Sequence, residues 1–309
     1  MGHARKISAA SSPSATDWTD LLPNLVIAGV AKGGTTSLFH YLCQHDDICG
    51  SDVKEVDYFG PLRAPDAQLA PVEEYGKHFR HCSNTRYRIE ASPSYCYAGR
   101  PVIEAIRGVL GEPRIIISLR DPVRRFWSAF TFLQSMGRLD QHMSCESYMD
   151  WCLAEEEQAG RTTPLAVGRY VEWLPGWLDE FGPDLRLVFA EQLFETPEEV
   201  VLDLIRWLEL EPFSFDPALR NPTASTRSQE MAKISYRAKH VTDRVLAAAP
   251  RARAALGTLY RRINTTELTQ QLPDRARVRL ADHYRAPTAA LADLLTDHPM
   301  STFPGWVGQ

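Results

Sequence analysis

Leu25-Val26-Ile27-Ala28-Gly29-Val30-Ala31-Lys32-Gly33-Gly34-Thr35-Thr36-Ser37-Leu38 is the stretch on which the architecture turns. Its first six residues are apolar and rich in β-branched side chains, the pattern of a buried strand. The run passes into a glycine-containing loop and then into SLFHYLCQH, which reads as a helix. Strand, glycine loop and helix in succession make one βα unit. Two adjacent glycines let a backbone wrap an oxyanion without a Cβ in the way. The helix behind them offers unpaired N–H groups and the positive end of its dipole. Lys32 adds a point charge, and Thr35, Thr36 and Ser37 add hydroxyl donors. The loop therefore reads as a phosphate or sulfate cradle, and a tight strand-to-helix turn with capping threonines is the plainer alternative. It is a poor Walker A loop. The lysine precedes the glycines, and Thr35 stands where the Walker lysine should follow Gly34.

Working outward, further buried strands are expected at Tyr87–Ala91, Arg114–Leu119 and Leu185–Phe189. Helices are expected near 98–110, 122–136, 144–158, 167–181 and 197–210, with more from about 227 to 297. Strands alternating with helices predict an α/β fold, a single domain whose central parallel sheet is flanked by helices. Residues 1–20, rich in Ser, Ala and Pro, read as a flexible tail, and 21–309 as the domain. The 309 residues carry a formal charge of −5, which argues against a nucleic-acid-coating protein but leaves room for a local basic pocket. No apolar run approaches the ~20 residues that span a bilayer. The N-terminal MGHARKISAASSPSATDW has no apolar centre, so neither a secretory signal nor a membrane contact is expected. The six cysteines, at 43, 49, 82, 96, 145 and 152, form no C-x-x-C pair. They are expected to be reduced thiols of a cytoplasmic protein, with no metal site.

A second segment, RIIISLRDPVRRFWSAF (114–130), should deliver Arg120 at the carboxyl end of a strand, where α/β sheets bind ligands. Asp121-Pro122 then starts a helix that carries Ser128. An arginine and a serine converging there can hold a phosphate. Alone, the segment suits an Arg120–Asp121 pair and a surface serine equally well. Together with the glycine loop it suggests two anion sites on one nucleotide.

These two segments resemble the nucleotide motifs of sulfotransferases that use 3′-phosphoadenosine 5′-phosphosulfate (PAPS) and release adenosine 3′,5′-bisphosphate. The resemblance implies that Lys32, Gly33, Gly34, Thr35, Thr36 and Ser37 hold the 5′-phosphosulfate, and that Arg120 and Ser128 hold the 3′-phosphate. KEVDYFG (54–60) resembles the stretch that bears the acceptor-activating glutamate in the heparan sulfate branch, which implies Glu55 as general base and Lys32 as the leaving-group cation; read without the resemblance, Glu55 is a surface glutamate paired with Lys54. IEASPSY (89–95) resembles that branch's next strand and turn, with Glu90 and Ser92 beside the acceptor. Arg227 is a further expected contact to the 3′-phosphate. Coverage runs over about 24–215. Departures are Ala91 where relatives carry Lys, Asp57 where His is common, and no Cys in FSFDPALRNPTASTRS (213–228) where relatives close a disulfide loop. They point away from a polyanionic glycan and towards a small-molecule hydroxyl acceptor such as a secondary metabolite. The reaction expected is metal-free, in-line sulfuryl transfer. A P-loop nucleoside or small-molecule kinase is the rival enzyme, and a nucleotide-binding interaction protein with a dead site the non-enzymatic one. Neither the acceptor nor the oligomeric state is written in the sequence.

Overall fold

The computed structural model describes residues 18–160, 162–218, 224–226, 265–267, 271–296 and 303–308. Five parallel strands form the central sheet: β1 (Leu25–Gly29), β2 (Ile48–Gly50), β3 (Tyr87–Ala91), β4 (Arg114–Leu119) and β5 (Leu185–Phe189), in the order β2-β3-β1-β4-β5. All five residues of β1 are buried, as its unbroken apolar run requires of a central strand covered on both faces. Alternation splits the strands between two apolar layers. Val26, Ala28, Ile115, Ile117, Leu187 and Phe189 face one, which also contains Tyr75, Tyr95 and Trp177. Leu25, Ile27, Ile89, Ile116 and Val188 face the other, built on α1 (Thr35–Leu42).

The other helices are α2 (Val72–Gly76), α3 (Arg100–Leu110), α4 (Pro122–Ser135), α5 (Cys145–Ala159), α6 (Leu174–Phe181), α7 (Ala190–Glu195), α8 (Pro197–Trp207) and α9 (Asp274–Leu295). A third apolar cluster joins α4, α5 and α9 through Phe126, Phe130, Tyr148, Met149, Leu280 and Tyr284. Thus α4, whose N-terminus sits at the carboxyl end of β4, is braced from behind.

The four expected strands are present. The structure adds β2, whose three residues are too few to show a period. Where one helix was expected over 167–181, 3₁₀ turns occupy 166–168 and 170–172, and α6 starts only at Leu174. Pro175 explains the delay, because its missing N–H and fixed φ suit the first turn of a helix and would break one running through it. Residues 18–20, assigned to the tail by composition, belong to a 3₁₀ turn that packs Trp18 on Gly76, with the Arg80 guanidinium 4.9 Å over the indole. Short strands β6 (Ala224–Thr226) and β7 (Thr265–Glu267) pair antiparallel, so 265–267 is not part of a helix as expected. Arg227 and the helices expected between 227 and 264 lie outside the described residues.

The cysteine reading is corrected. Cys49 and Cys82 form a disulfide, while Cys43, Cys96, Cys145 and Cys152 are free. Spacing gave no hint of it, because β2 and the loop before β3 become neighbours only when the sheet assembles. The same two cysteines, with His81, form the one grouping of metal-ligating atoms found among the described residues. Among those residues no helix is long and apolar enough to cross a membrane.

Candidate functional site

The site lies at the carboxyl ends of β1 and β4, in a cleft of about 480 Å³. Each glycine of the loop has its own reason. Gly33 presses on β4: an added Cβ would stand 2.5 Å from the Ser118 carbonyl. The Ser118 hydroxyl donates to the Gly33 carbonyl, and the Val30 N–H donates to the Ser118 carbonyl at 2.9 Å. Gly34 takes a left-handed φ of 83°, and its Cα faces the Phe194 ring. Lys32 is also left-handed, at φ 72°.

Helix α1 has no side-chain cap, and its first bond across the boundary runs from the Leu38 N–H to the Gly34 carbonyl. The N–H groups of Thr35, Thr36 and Ser37 are the ones that helix geometry leaves open. All three residues line the cleft.

From the other side β4 delivers Arg120. The Tyr170 hydroxyl donates to the Arg120 carbonyl at 2.5 Å, and an Arg120 guanidinium N–H donates to the Lys32 carbonyl at 3.0 Å. Asp121 does not neutralise Arg120. Its carboxylate caps α4 by accepting from the Val123 N–H, and its own N–H donates to Glu191. Ser128 lies on the cleft-facing side of α4, nearly buried, and its hydroxyl has no partner.

Charge here is predominantly positive, with Lys32 and Arg120 against Glu55. Burial chiefly, with help from Arg120, lowers the Lys32 ammonium to about 8, and Glu55 opposes the shift. Burial likewise lowers Arg120, against the pull of Glu191. Among the described residues no carboxylate is in ion-pair contact with either cation. Instead the Lys32 Nζ rests 4.0 Å from the Phe132 ring centroid. The geometry therefore offers two cations, an open helix N-terminus and an unpartnered hydroxyl, all facing one cleft. That set is suited to a multiply charged anion.

The sulfotransferase domain model matches residues 22–245. The chain belongs to the sulfotransferase family. It is 26% identical over 212 residues to a bifunctional heparan sulfate N-deacetylase/N-sulfotransferase of Caenorhabditis briggsae, a match covering 64% of this chain but 24% of the relative. It is 26% identical over 240 residues to human heparan sulfate glucosamine 3-O-sulfotransferase 3B1, covering 72% of this chain and 58% of the relative. The chain thus spans a quarter to somewhat over half of the length of these relatives. A sulfotransferase structure from Alicyclobacillus acidocaldarius superposes with a TM-score of 0.63 at 22% identity, over 92% of this chain and 98% of that one, which confirms the fold.

Glu55 lines the same cleft as Lys32, Arg120 and Ser128. It is non-glycine yet left-handed (φ 65°), its side chain is 60% exposed, and it pairs with Lys54 at 3.2 Å. Asp57 is otherwise engaged. Arg63 holds its carboxylate in a fork at 2.7 and 3.2 Å, and the Ser94 hydroxyl donates to it at 2.7 Å. Glu90 and Ser92, expected beside the acceptor, are buried beneath the cleft rather than lining it. Strand alternation is the reason, because it turns Glu90 to the core. Sequence reasoning missed Phe132, Phe194, Tyr97, Pro93 and Ser94. Phe132 had a signal, since it lies one helical turn after Ser128. Phe194 and Tyr97 had none, because they reach the cleft by tertiary packing.

Proposed function

We propose that the protein transfers a sulfuryl group from PAPS to the hydroxyl of a small-molecule acceptor. The observation that carries the reading is the buried, unpartnered Ser128 hydroxyl in one cleft with Arg120 and the open N-terminus of α1. Two groups of anion-binding residues in one cleft, from the glycine loop and from the segment after β4, suit a nucleotide phosphorylated at both 3′ and 5′ positions. Arg120 and Ser128 take the 3′-phosphate. Lys32 with the N–H groups of Gly34 to Thr36 and the hydroxyls of Thr35 to Ser37 takes the 5′-phosphosulfate, while the Gly33 N–H, expected to join them, donates instead to the Val30 carbonyl at 2.8 Å and shapes the loop. The acceptor oxygen attacks sulfur in line, and the bond from sulfur to the bridging 5′-phosphate oxygen breaks. Glu55 takes the acceptor proton. The electron pair left on the phosphate oxygen meets the Lys32 ammonium and the loop N–H groups, whose preorganisation stabilises the developing charge.

Phe132, Tyr97 and Pro93 supply an apolar wall, and Asp57 is neutralised by Arg63 rather than free to bind a cation. Such a wall favours a compact organic alcohol or phenol over a polyanion. The test is mass spectrometry of host metabolites incubated with the protein and PAPS, with and without a chelator. An added sulfo group on a hydroxyl compound, unaffected by chelation, is the expected result. ATP consumption that requires magnesium would replace this reading with the kinase.

A further inference from the structure

Glu90 occupies a place in β3 where the pattern calls for an apolar residue. It pairs in register with Val26, and alternation sends Ile89 and Ala91 to the α1 layer and Glu90 to the opposite one. There it is fully buried, the one carboxylate so buried among the described residues. Around it stand Tyr75, Tyr95 and Phe59, with Tyr58 stacked on Tyr75 at 4.3 Å. The hydroxyls of Tyr95, Tyr75 and Ser92 face the carboxyl. None reaches strict hydrogen-bond geometry with it, and the Tyr75 hydroxyl is unpartnered too. Burial, reinforced by Asp57, pushes the Glu90 carboxyl up to about 8, so it is mostly protonated at neutral pH.

The lone pairs and protons can be followed atom by atom. The Ser92 oxygen accepts from the Asp57 N–H at 2.9 Å, and the Tyr95 oxygen accepts from the Phe59 N–H at 3.2 Å. Each hydroxyl therefore has one proton left to donate. A neutral carboxyl fits the need: its carbonyl oxygen accepts both protons, and its own O–H can go to the Tyr75 oxygen. Asp57 and Phe59 lie two and four residues after Glu55, in a stretch where Glu55 and Asp57 both hold left-handed backbone. A stretch so unfavourable locally needs outside anchors.

Resting on the assignment of Glu55 as base, we infer that Glu90 is its positioning residue: it takes the Ser92 and Tyr95 protons, turns their lone pairs onto the Asp57 and Phe59 N–H groups, and so fixes the segment that presents Glu55 to the cleft. Glu90 itself touches neither donor nor acceptor.

The experiment compares wild type, E90Q, E90L and E55Q as full chains. It reads amide hydrogen exchange, calorimetric affinity for adenosine 3′,5′-bisphosphate, and turnover of PAPS with the acceptor found by the mass-shift screen. Gln keeps an accepting oxygen and a donor, so E90Q should hold protection and turnover near wild type. E90L should lose protection at Asp57 and Phe59 by about 10-fold and turnover by about as much, with nucleotide affinity unchanged. If E90L does not fold, S92A and Y95F test the same link, since each should expose only its own amide. Retained protection of both amides in E90L overturns the inference, as does nucleotide affinity falling in step with turnover. E55Q keeps the two readings apart. Full turnover of E55Q removes the base whatever Glu90 does, whereas a dead E55Q beside a wild-type-like E90L removes only the positioning role.

Discussion

The two sides of the cleft, the one proposed to take the donor and the one proposed to take the acceptor, are built differently. The donor side is the end of the sheet itself: Val30 and Gly33 are tied to Ser118, and Arg120 to Lys32, across adjacent central strands. The acceptor side is an excursion from 51 to 86 between β2 and β3, with a single short α-helix, α2, and two 3₁₀ turns among the described elements. It is held by side chains reaching backbone, by the Asp57–Arg63 fork, and by a disulfide at its root. Central strands cannot shift without breaking the core, whereas an excursion can open locally. Donor binding should therefore be robust to changes on the acceptor side, while turnover should depend on both.

The sharpest way to break that contrast is Glu55→Gln. Turnover should fall by about 10² or more, the usual effect of losing a general base, with affinity for adenosine 3′,5′-bisphosphate kept. Parallel loss of affinity, seen by calorimetry, would mean that the two sides are one unit.

Next comes Arg120→Ala. The wild type should prefer adenosine 3′,5′-bisphosphate over adenosine 5′-monophosphate by at least ~10-fold, since a charge-assisted hydrogen bond contributes roughly 1.5–3 kcal/mol. The substitution should erase most of that preference. Ser128→Ala should remove a smaller part of it. No preference in the wild type would make the second segment structural.

Lys32 gives a smaller effect with a defined sign. Its ammonium, lowered to about 8, loses its proton in the free protein as pH rises through that value. Nucleotide affinity should therefore drop several-fold between about pH 7 and 9.5, and Lys32→Arg should flatten the profile. Stability moves the other way. Between about 8 and the ordinary lysine value the unfolded chain holds more protons, so the Lys32 contribution to ligand-free stability rises with pH. Calorimetry and thermal melts over one pH series check both signs.

The mildest change is reduction of Cys49–Cys82. Thiol titration should find four free cysteines before reduction and six after. With the partners 33 positions apart in sequence, loop entropy sets the lost stability at about 3–4 kcal/mol. Nucleotide affinity should nonetheless change less than about 2-fold, because the donor side does not run through the disulfide. A collapse of affinity on reduction would erase the distinction between the sides.

What the sequence determined by itself was local and periodic. The apolar run 25–30, the glycines, and Arg120 at the end of RIIISL announce strands and their carboxyl ends, because a buried parallel strand leaves a continuous apolar signature. The parallel sheet and the strand–glycine loop–helix unit were legible for that reason. What only the tertiary structure decided is pairing across long separations. β2 is too short to leave a pattern, and Cys49 meets Cys82 because β2 lies beside β3. Asp57 meets Arg63 and Ser94, and Tyr170 clamps Arg120, through chain paths that no spacing encodes. Glu90 shows the limit most plainly: a glutamate in a strand reads as polar and accessible, and only the register with Val26 turns it into the core. Hydrophobic period is a property of neighbours in the chain, whereas partnership of polar groups is a property of neighbours in space.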